Sequence, residues 1–212
     1  MPILLVFLDG VGVGPPGPQN PFSETPSALF APLGGRGEGE LPRGGRLALA
    51  DATLSIEGLP QSATGGTALF TGENAPARLG HHLQGFPNEA LCSLIAERGL
   101  LGRARALGAR VAFANAYTPA FFESAPPPGV GCEGLRPGVR ARASGRRPRS
   151  VTTVVTLSAG LSLKTLEDLR RGEALYRDFT NALLVERGHA VELRSPEEAG
   201  RLLARLAEAH DL

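Results

Sequence analysis

The chain of 212 residues has two cysteines, Cys92 and Cys132, too few for a disulfide framework and badly spaced for a zinc site. Lysine is nearly missing: Lys164 stands alone, and the other 21 of the 22 basic residues are arginine. An excess of either charge is missing too, and a formal net charge of +1 excludes the strongly basic footprint of a dedicated DNA binder. No apolar run approaches the ~18–20 residues that a membrane span needs. The apolar run Ile3 to Leu8 lacks a basic flank and stops at Asp9, so it does not read as a secretory signal. A reducing cytoplasm is the expected location.

What is present is a globular composition, with 42% apolar and 20% charged residues. The length suits a single domain over residues 1–212, long enough to bury a substantial core. Glycine (28) and proline (18) together make about a fifth of the chain, which predicts long, punctuated loops. The arginine bias, beside abundant Ala, Leu and Gly, resembles GC-rich coding and is compatible with a thermophile. It carries no functional information.

Six apolar residues without alternation, Ile3-Leu4-Leu5-Val6-Phe7-Leu8, predict a strand buried on both faces of a parallel sheet. The Gly/Pro-crowded stretch from Gly10 to Gly45 predicts a long loop with one helical turn near Ser27–Phe30, and loops of that length are more often functional than not. A short strand is expected at Leu47–Ala50. Helices are expected at Ser62–Phe70, over Asn88–Leu107 with a break near Gly99, and at Val151–Ala159, Leu166–Arg171, Leu175–Arg187 and Ser195–Ala209. The last opens on Ser195-Pro196-Glu197-Glu198, a capping box with proline at the first helical position. Val111–Ala114 is expected as a second buried strand, and 125–149 as a Pro/Gly/Arg-rich loop. The order strand–helix–helix–strand gives an α/β fold with a mainly parallel sheet flanked by helices. A crossover helix normally returns the chain to its sheet, so the final helix leads to an expectation that the fold is incomplete at the C-terminus.

Two positions carry the chemistry. Asp9 ends the first predicted strand, where ligands gather in open parallel sheets and a carboxylate can hold a cation. It equally fits an Asx turn with Gly10. Ser62, in Gly58-Leu59-Pro60-Gln61-Ser62-Ala63-Thr64-Gly65-Gly66-Thr67, opens a helix and fits an N-cap. The sharper reading is a nucleophile beside a helix end whose free N–H groups receive a phosphate, although spacing alone favours the cap.

Taken together, Ile3-Leu4-Leu5-Val6-Phe7-Leu8-Asp9-Gly10-Val11-Gly12 and Gly58-Leu59-Pro60-Gln61-Ser62-Ala63-Thr64-Gly65, continuing to Phe70-Thr71-Gly72, resemble the alkaline phosphatase superfamily. Within it they are similar to the branch of cofactor-independent phosphoglycerate mutases and related metalloenzymes. Softer similarity runs through Asn74-Ala75-Pro76, Gly85-Phe86-Pro87, Asn115-Ala116-Tyr117 and Asp178-Phe179-Thr180-Asn181. The resemblance implies an alkaline-phosphatase-like core and metal-dependent phosphoryl transfer, as a phosphatase or phosphomutase. It makes Asp9 a metal ligand, and Ser62 both a ligand and the residue transiently phosphorylated. Two divalent cations, manganese or zinc, are implied as cofactors and a small phosphorylated molecule as substrate. Expected substrate contacts are Thr64, Gly65, His82 and Asn115.

The sequence departs from the family at Gly66, where the mutases carry histidine. Their remaining ligands, an Asp–His pair, an Asp-His-Gly motif and a further histidine, do not occur among the 212 residues. The chain alone is therefore expected to bind the cations weakly or not at all, and to be inactive or nearly so; truncation, degeneration and a split enzyme would each account for this. An exposed sheet edge would then favour self-association.

Other readings fare less well. Gly12-Val13-Gly14-Pro15-Pro16-Gly17 matches a dinucleotide fingerprint in letters, but prolines replace the helix that must follow. A hydrolase nucleophile elbow needs glycines where Pro60 and Thr64 stand. His81-His82 reads as ligands, substrate contacts or a surface pair, and Cys92 as core. Arg136, Arg140, Arg142, Arg146, Arg147 and Arg149 offer an alternative, a non-catalytic phosphate- or nucleic-acid-binding protein. A solvated loop explains them as well, because no aromatic residues interleave with them, and nucleic acid is not the expected partner.

Overall fold

The computed structural model describes residues 3–8, 11–24, 31–35, 39–124, 149–175 and 195–209. The chain divides into two compact units, Leu5–Ala52 in one, and Met1–Leu4 with Thr53–Leu212 in the other.

The smaller unit is irregular, as its glycine and proline content predicts. Asn20 organises it: the side-chain amide donates to the carbonyls of Pro15 (3.2 Å) and Leu33 (3.1 Å), while its oxygen accepts from the Phe22 amide at 3.0 Å. Beyond it, β1 (Gly39–Leu41) and β2 (Gly45–Leu47) form an antiparallel hairpin in which Glu40 faces Arg46. Its turn places Arg43 (φ 62°) and Gly44 (φ 75°) in the left-handed region. Pairing thus ends at Leu47, where the sequence suggests that a strand begins, because a tight turn pairs the residues beside it first.

The larger unit is mainly helical among the described residues. Its first part comprises α1 (Ser62–Thr71), α2 (Ala75–Leu79), α3 (Glu89–Arg98), α4 (Leu100–Ala106) and, after β3 (Ala116–Tyr117), α5 (Pro119–Ser124). Then follow α6 (Val151–Ser158), β4 (Lys164–Thr165), α7 (Leu166–Arg170) and α8 (Pro196–Ala209). Helices α1, α3 and α6 pack on one another through Phe70, Cys92, Ile95, Val151, Val154 and Val155, which bury a shared apolar cluster. Cys92 is core, as expected. A second cluster, Ala63, Ala75, Leu91 and Leu94, joins α1, α2 and α3.

Small residues let α1 into this packing. Gly66 faces α6 so closely that an added Cβ would lie 3.4 Å from three carbon atoms of Val151. Buried Thr67 and Thr71 satisfy their hydroxyls inside the helix, each donating at 2.7 Å to the carbonyl four residues earlier. Gly99 breaks the α3–α4 run as predicted, and its amide donates to the Ile95 carbonyl at 2.8 Å. An added Cβ there would sit 2.5 Å from that oxygen. The Arg105 guanidinium donates to the carbonyl of Ala159, tying α4 to the end of α6.

Parallel pairing among the described residues consists of β3 with β4, plus a bridge from Asn115 to Leu175. Leu175 donates to the Ala114 carbonyl and accepts from the Ala116 amide, so the second strand pairs a few residues after the expected Val111–Ala114. Helix α7 covers this ladder with Leu166 and Leu169. It opens on a capping box: Asp168 accepts from the Thr165 amide (2.6 Å) and hydroxyl (2.9 Å), and its own amide donates to the Thr165 oxygen. The Ser195–Glu198 capping box of α8 forms as predicted, at 2.7 and 3.2 Å.

The first predicted strand differs most. Ile3 to Leu8 has no strand pairing among the described residues, and its side chains are 37–72% exposed. Apolar character specifies burial, but a strand also needs neighbours that accept its backbone hydrogen bonds. The helical turn at Ser27–Phe30, the Arg136–Arg147 run, Cys132, Asp178–Asn181 and the helix expected at Leu175–Arg187, beyond Leu175 itself, lie outside the described residues.

Candidate functional site

The backbone enters α1 from Gln61, which is extended (φ −130°, ψ 150°) and makes no side-chain cap. Ser62 is therefore the first helical residue and not the N-cap. Its side chain is exposed, and its hydroxyl has no hydrogen-bond partner among the described residues. Gly65, one turn on, has nothing within 4 Å of where a Cβ would stand among the described residues, which leave the space there open.

The free amides of this helix end have a partner from within the chain. The carbonyl of Leu83 accepts from Ala63 at 3.1 Å and from Thr64 at 3.4 Å. In return the Leu83 amide donates at 3.2 Å to Oγ1 of Thr64, which itself donates to the Gln61 carbonyl at 3.4 Å. Thr64 is fully buried. A substrate contact from its hydroxyl or amide would have to replace these bonds.

His82, immediately before Leu83, sets its Nε2 3.2 Å from the carbonyl of Ile56. Its Nδ1 is buried without a hydrogen-bond partner among the described residues. The His82 Cδ2 lies 3.5 Å from where a Cβ would sit on Gly58, whose φ of +112° only glycine adopts freely. His81 instead faces the Leu79 carbonyl at 3.1 Å and is exposed, so the two histidines do not act as a pair. Just before this turn, Leu54 (φ 52°) and Ser55 (φ 60°) are both left-handed, a conformation that costs on the order of 1–3 kcal/mol per residue. The side-chain amide of Asn74, 2.9 Å from the Leu54 carbonyl, helps to hold it, while the Asn74 oxygen caps α2 by accepting from the Ala77 amide.

Ser62, Thr64, Gly65 and His82 thus gather around one helix end. Asn115 is on another element, in the bridge to Leu175, and shares no hydrogen bond with them among the described residues. Asp9 and His210-Asp211 lie outside the described residues. No three His, Cys, Asp or Glu residues among those described stand close enough together to hold a metal ion. Of the two residues that the resemblance makes metal ligands, Ser62 is among the described residues and Asp9 is not.

Reasoning from sequence misses Leu83, whose role depends on a contact 19 residues back along the chain. It also misses a hydroxyl cluster at the start of α6. There Ser150 and Thr153 approach to 2.9 Å, Ser150 and Thr152 to 3.0 Å, and Tyr117 Oη lies 2.9 Å from Thr153. Tyr117 stacks on Phe121 with ring centres 4.5 Å apart. No sequence pattern signals this cluster, because its members come from either side of the 125–148 segment.

No helix among the described residues is long and apolar enough to cross a membrane. No protein-family model, curated protein or solved structure matches the chain.

Proposed function

We propose that the chain belongs to a metal-dependent phosphoryl-transfer protein of the phosphatase or phosphomutase kind, with Ser62 as nucleophile and Asp9 as a metal ligand. The observation that supports this reading best is the state of Ser62. Its hydroxyl stands exposed and unpartnered among the described residues, at the positive end of a ten-residue helix, with open space at Gly65. A serine that only capped the helix would spend that oxygen on a backbone amide.

In the reaction, Oγ of Ser62 attacks the phosphorus of a small phosphomonoester. The bond from phosphorus to the departing alcohol breaks, and the serine proton passes to the oxygen that leaves. Water, or a second hydroxyl of the substrate, then takes the phosphoryl group from the serine. A bound divalent cation, manganese or zinc, would lower the hydroxyl's pKa and offset phosphoryl charge. This chain contributes Asp9 and Ser62 towards such an ion, and the other ligands that the reading requires are not among its residues. Turnover by the chain alone is accordingly weak or undetectable. Gly65, one turn from Ser62, is a substrate contact in this reading, Thr64 joins it on release from Leu83, and His82 and Asn115 are assigned through the resemblance. A cytoplasmic setting fits the reading. Self-association fits it too, supported by the exposure of Ile3 to Leu8.

The test is hydrolysis of nitrophenyl phosphate with added manganese or zinc, comparing the chain with Ser62→Ala. Metal-dependent turnover, however slow, that Ser62→Ala abolishes supports the assignment. Turnover that survives the substitution unchanged refutes it.

A further inference from the structure

We propose that residues 80–85 form a latch closed over the first turn of α1, and that the amides of Ala63 and Thr64 become available only when this latch opens as a unit. Four interactions hold it. The Leu83 carbonyl takes the two amides, the Leu83 amide is held by Oγ1 of Thr64, and His82 Nε2 pairs with the Ile56 carbonyl. The half-buried Leu83 side chain also packs on the Ala63–Ala75–Leu91–Leu94 cluster. Glycines with positive φ stand at both ends, Gly80 at 77° and Gly85 at 79°, where the backbone can change direction without steric cost from a side chain.

The closed latch carries a defect as well as bonds. It buries Nδ1 of His82 with no partner among the described residues, and an unpaired buried polar atom is an unfavourable term that opening to water removes. The closed state is thus opposed from within, the condition for local opening well below the free energy of global unfolding. A carbonyl oxygen on the two amides is also the group that an incoming phosphoryl oxygen would have to displace. The latch as a gate rests on the reading of Ser62 as nucleophile; the latch as a cooperative unit does not.

Native-state hydrogen exchange on the full chain tests both. The amides of residues 63, 64 and 83 should share one opening constant. Thr64→Val, which leaves the Leu83 amide without its acceptor, should raise that constant about tenfold for all three. Thr64→Ser should restore it, and the amide of Ile95 in α3 should not respond. Acceleration of Leu83 alone, or equal acceleration of Ile95, would overturn the latch. Inorganic phosphate supplies the second arm. Loss of Leu83 protection as phosphate is added supports the gate. Phosphate that shifts the amides of residues 63 and 64 while Leu83 stays protected overturns the latch and keeps the Ser62 reading. One shared opening constant, with no response to phosphate, keeps the latch as a cooperative unit and overturns its role as a gate.

Discussion

Leu83 and Thr64 hold each other through two hydrogen bonds of opposite sense, the Leu83 amide donating to the threonine hydroxyl at 3.2 Å and the Leu83 carbonyl accepting from the threonine amide at 3.4 Å. Residues 19 apart in sequence thereby close the amino end of α1. The helix end that the sequence offers as an anion receptor is satisfied internally at two of its amides, while the hydroxyl of Ser62 beside them stays exposed.

Gly66, where the resemblance to the mutases would imply a histidine, packs against Val151 of α6. With three Val151 carbons already 3.4 Å from the Cβ position, an imidazole there would crowd α6. Gly66→His should lower stability by about 1–3 kcal/mol through overpacking, read as a lower urea midpoint. An unchanged midpoint would contradict the α1–α6 packing.

Asp168 links stability to pH. Its pKa lies below the ordinary carboxylate value, chiefly because it accepts the Thr165 amide; burial opposes this, and the Thr165 hydroxyl and the charges of Lys164 and Arg171 add to the lowering. A lowered folded-state pKa stabilises the fold above the unfolded value of about 3.9, and this contribution is lost as pH falls through the folded value. Asp168→Asn should therefore destabilise by about 1 kcal/mol at pH 7, by analogy with the loss of a cap. Thermal melts should show the difference shrinking below pH ~4 as the wild-type carboxylate takes up its proton. A difference that persists unchanged in strong acid would rule out the capping carboxylate as its cause.

Tyr117→Phe removes the hydrogen bond to Thr153 but leaves Thr153 its partner Ser150 at 2.9 Å. The loss should be modest, about 0.5–1.5 kcal/mol, with the aromatic stack on Phe121 retained. Denaturant titration measures it, and a loss several times larger would mean that Tyr117 carries more of this end of α6 than one hydroxyl.

The helices were legible because their signals are local. The break at Gly99, the opening of α1 at Ser62 and the Ser195–Glu198 box each depend on residues within one turn of one another. Strand positions were less legible. The pairing of Ala116 and Tyr117 is set by Lys164, Thr165 and Leu175, some fifty residues away, and not by the apolar run Val111–Ala114. At Ile3–Leu8 the composition specifies a buried strand, yet composition cannot supply the neighbouring strand that burial requires. Ser62 was legible as a candidate, but its rank as first helical residue and not cap followed from the backbone of Gln61. Leu83, an apolar residue acting through its backbone, carried no signal at all.

The most direct measurement is a search for the covalent intermediate. Incubation with nitrophenyl phosphate and manganese, then rapid quench and peptide mass spectrometry, should find a small fraction of the peptide that contains Ser62 carrying one phosphoryl group. The label should disappear in Ser62→Ala and fall in Asp9→Asn. Product formed with no label on Ser62, at a rate indifferent to both substitutions, would contradict the account.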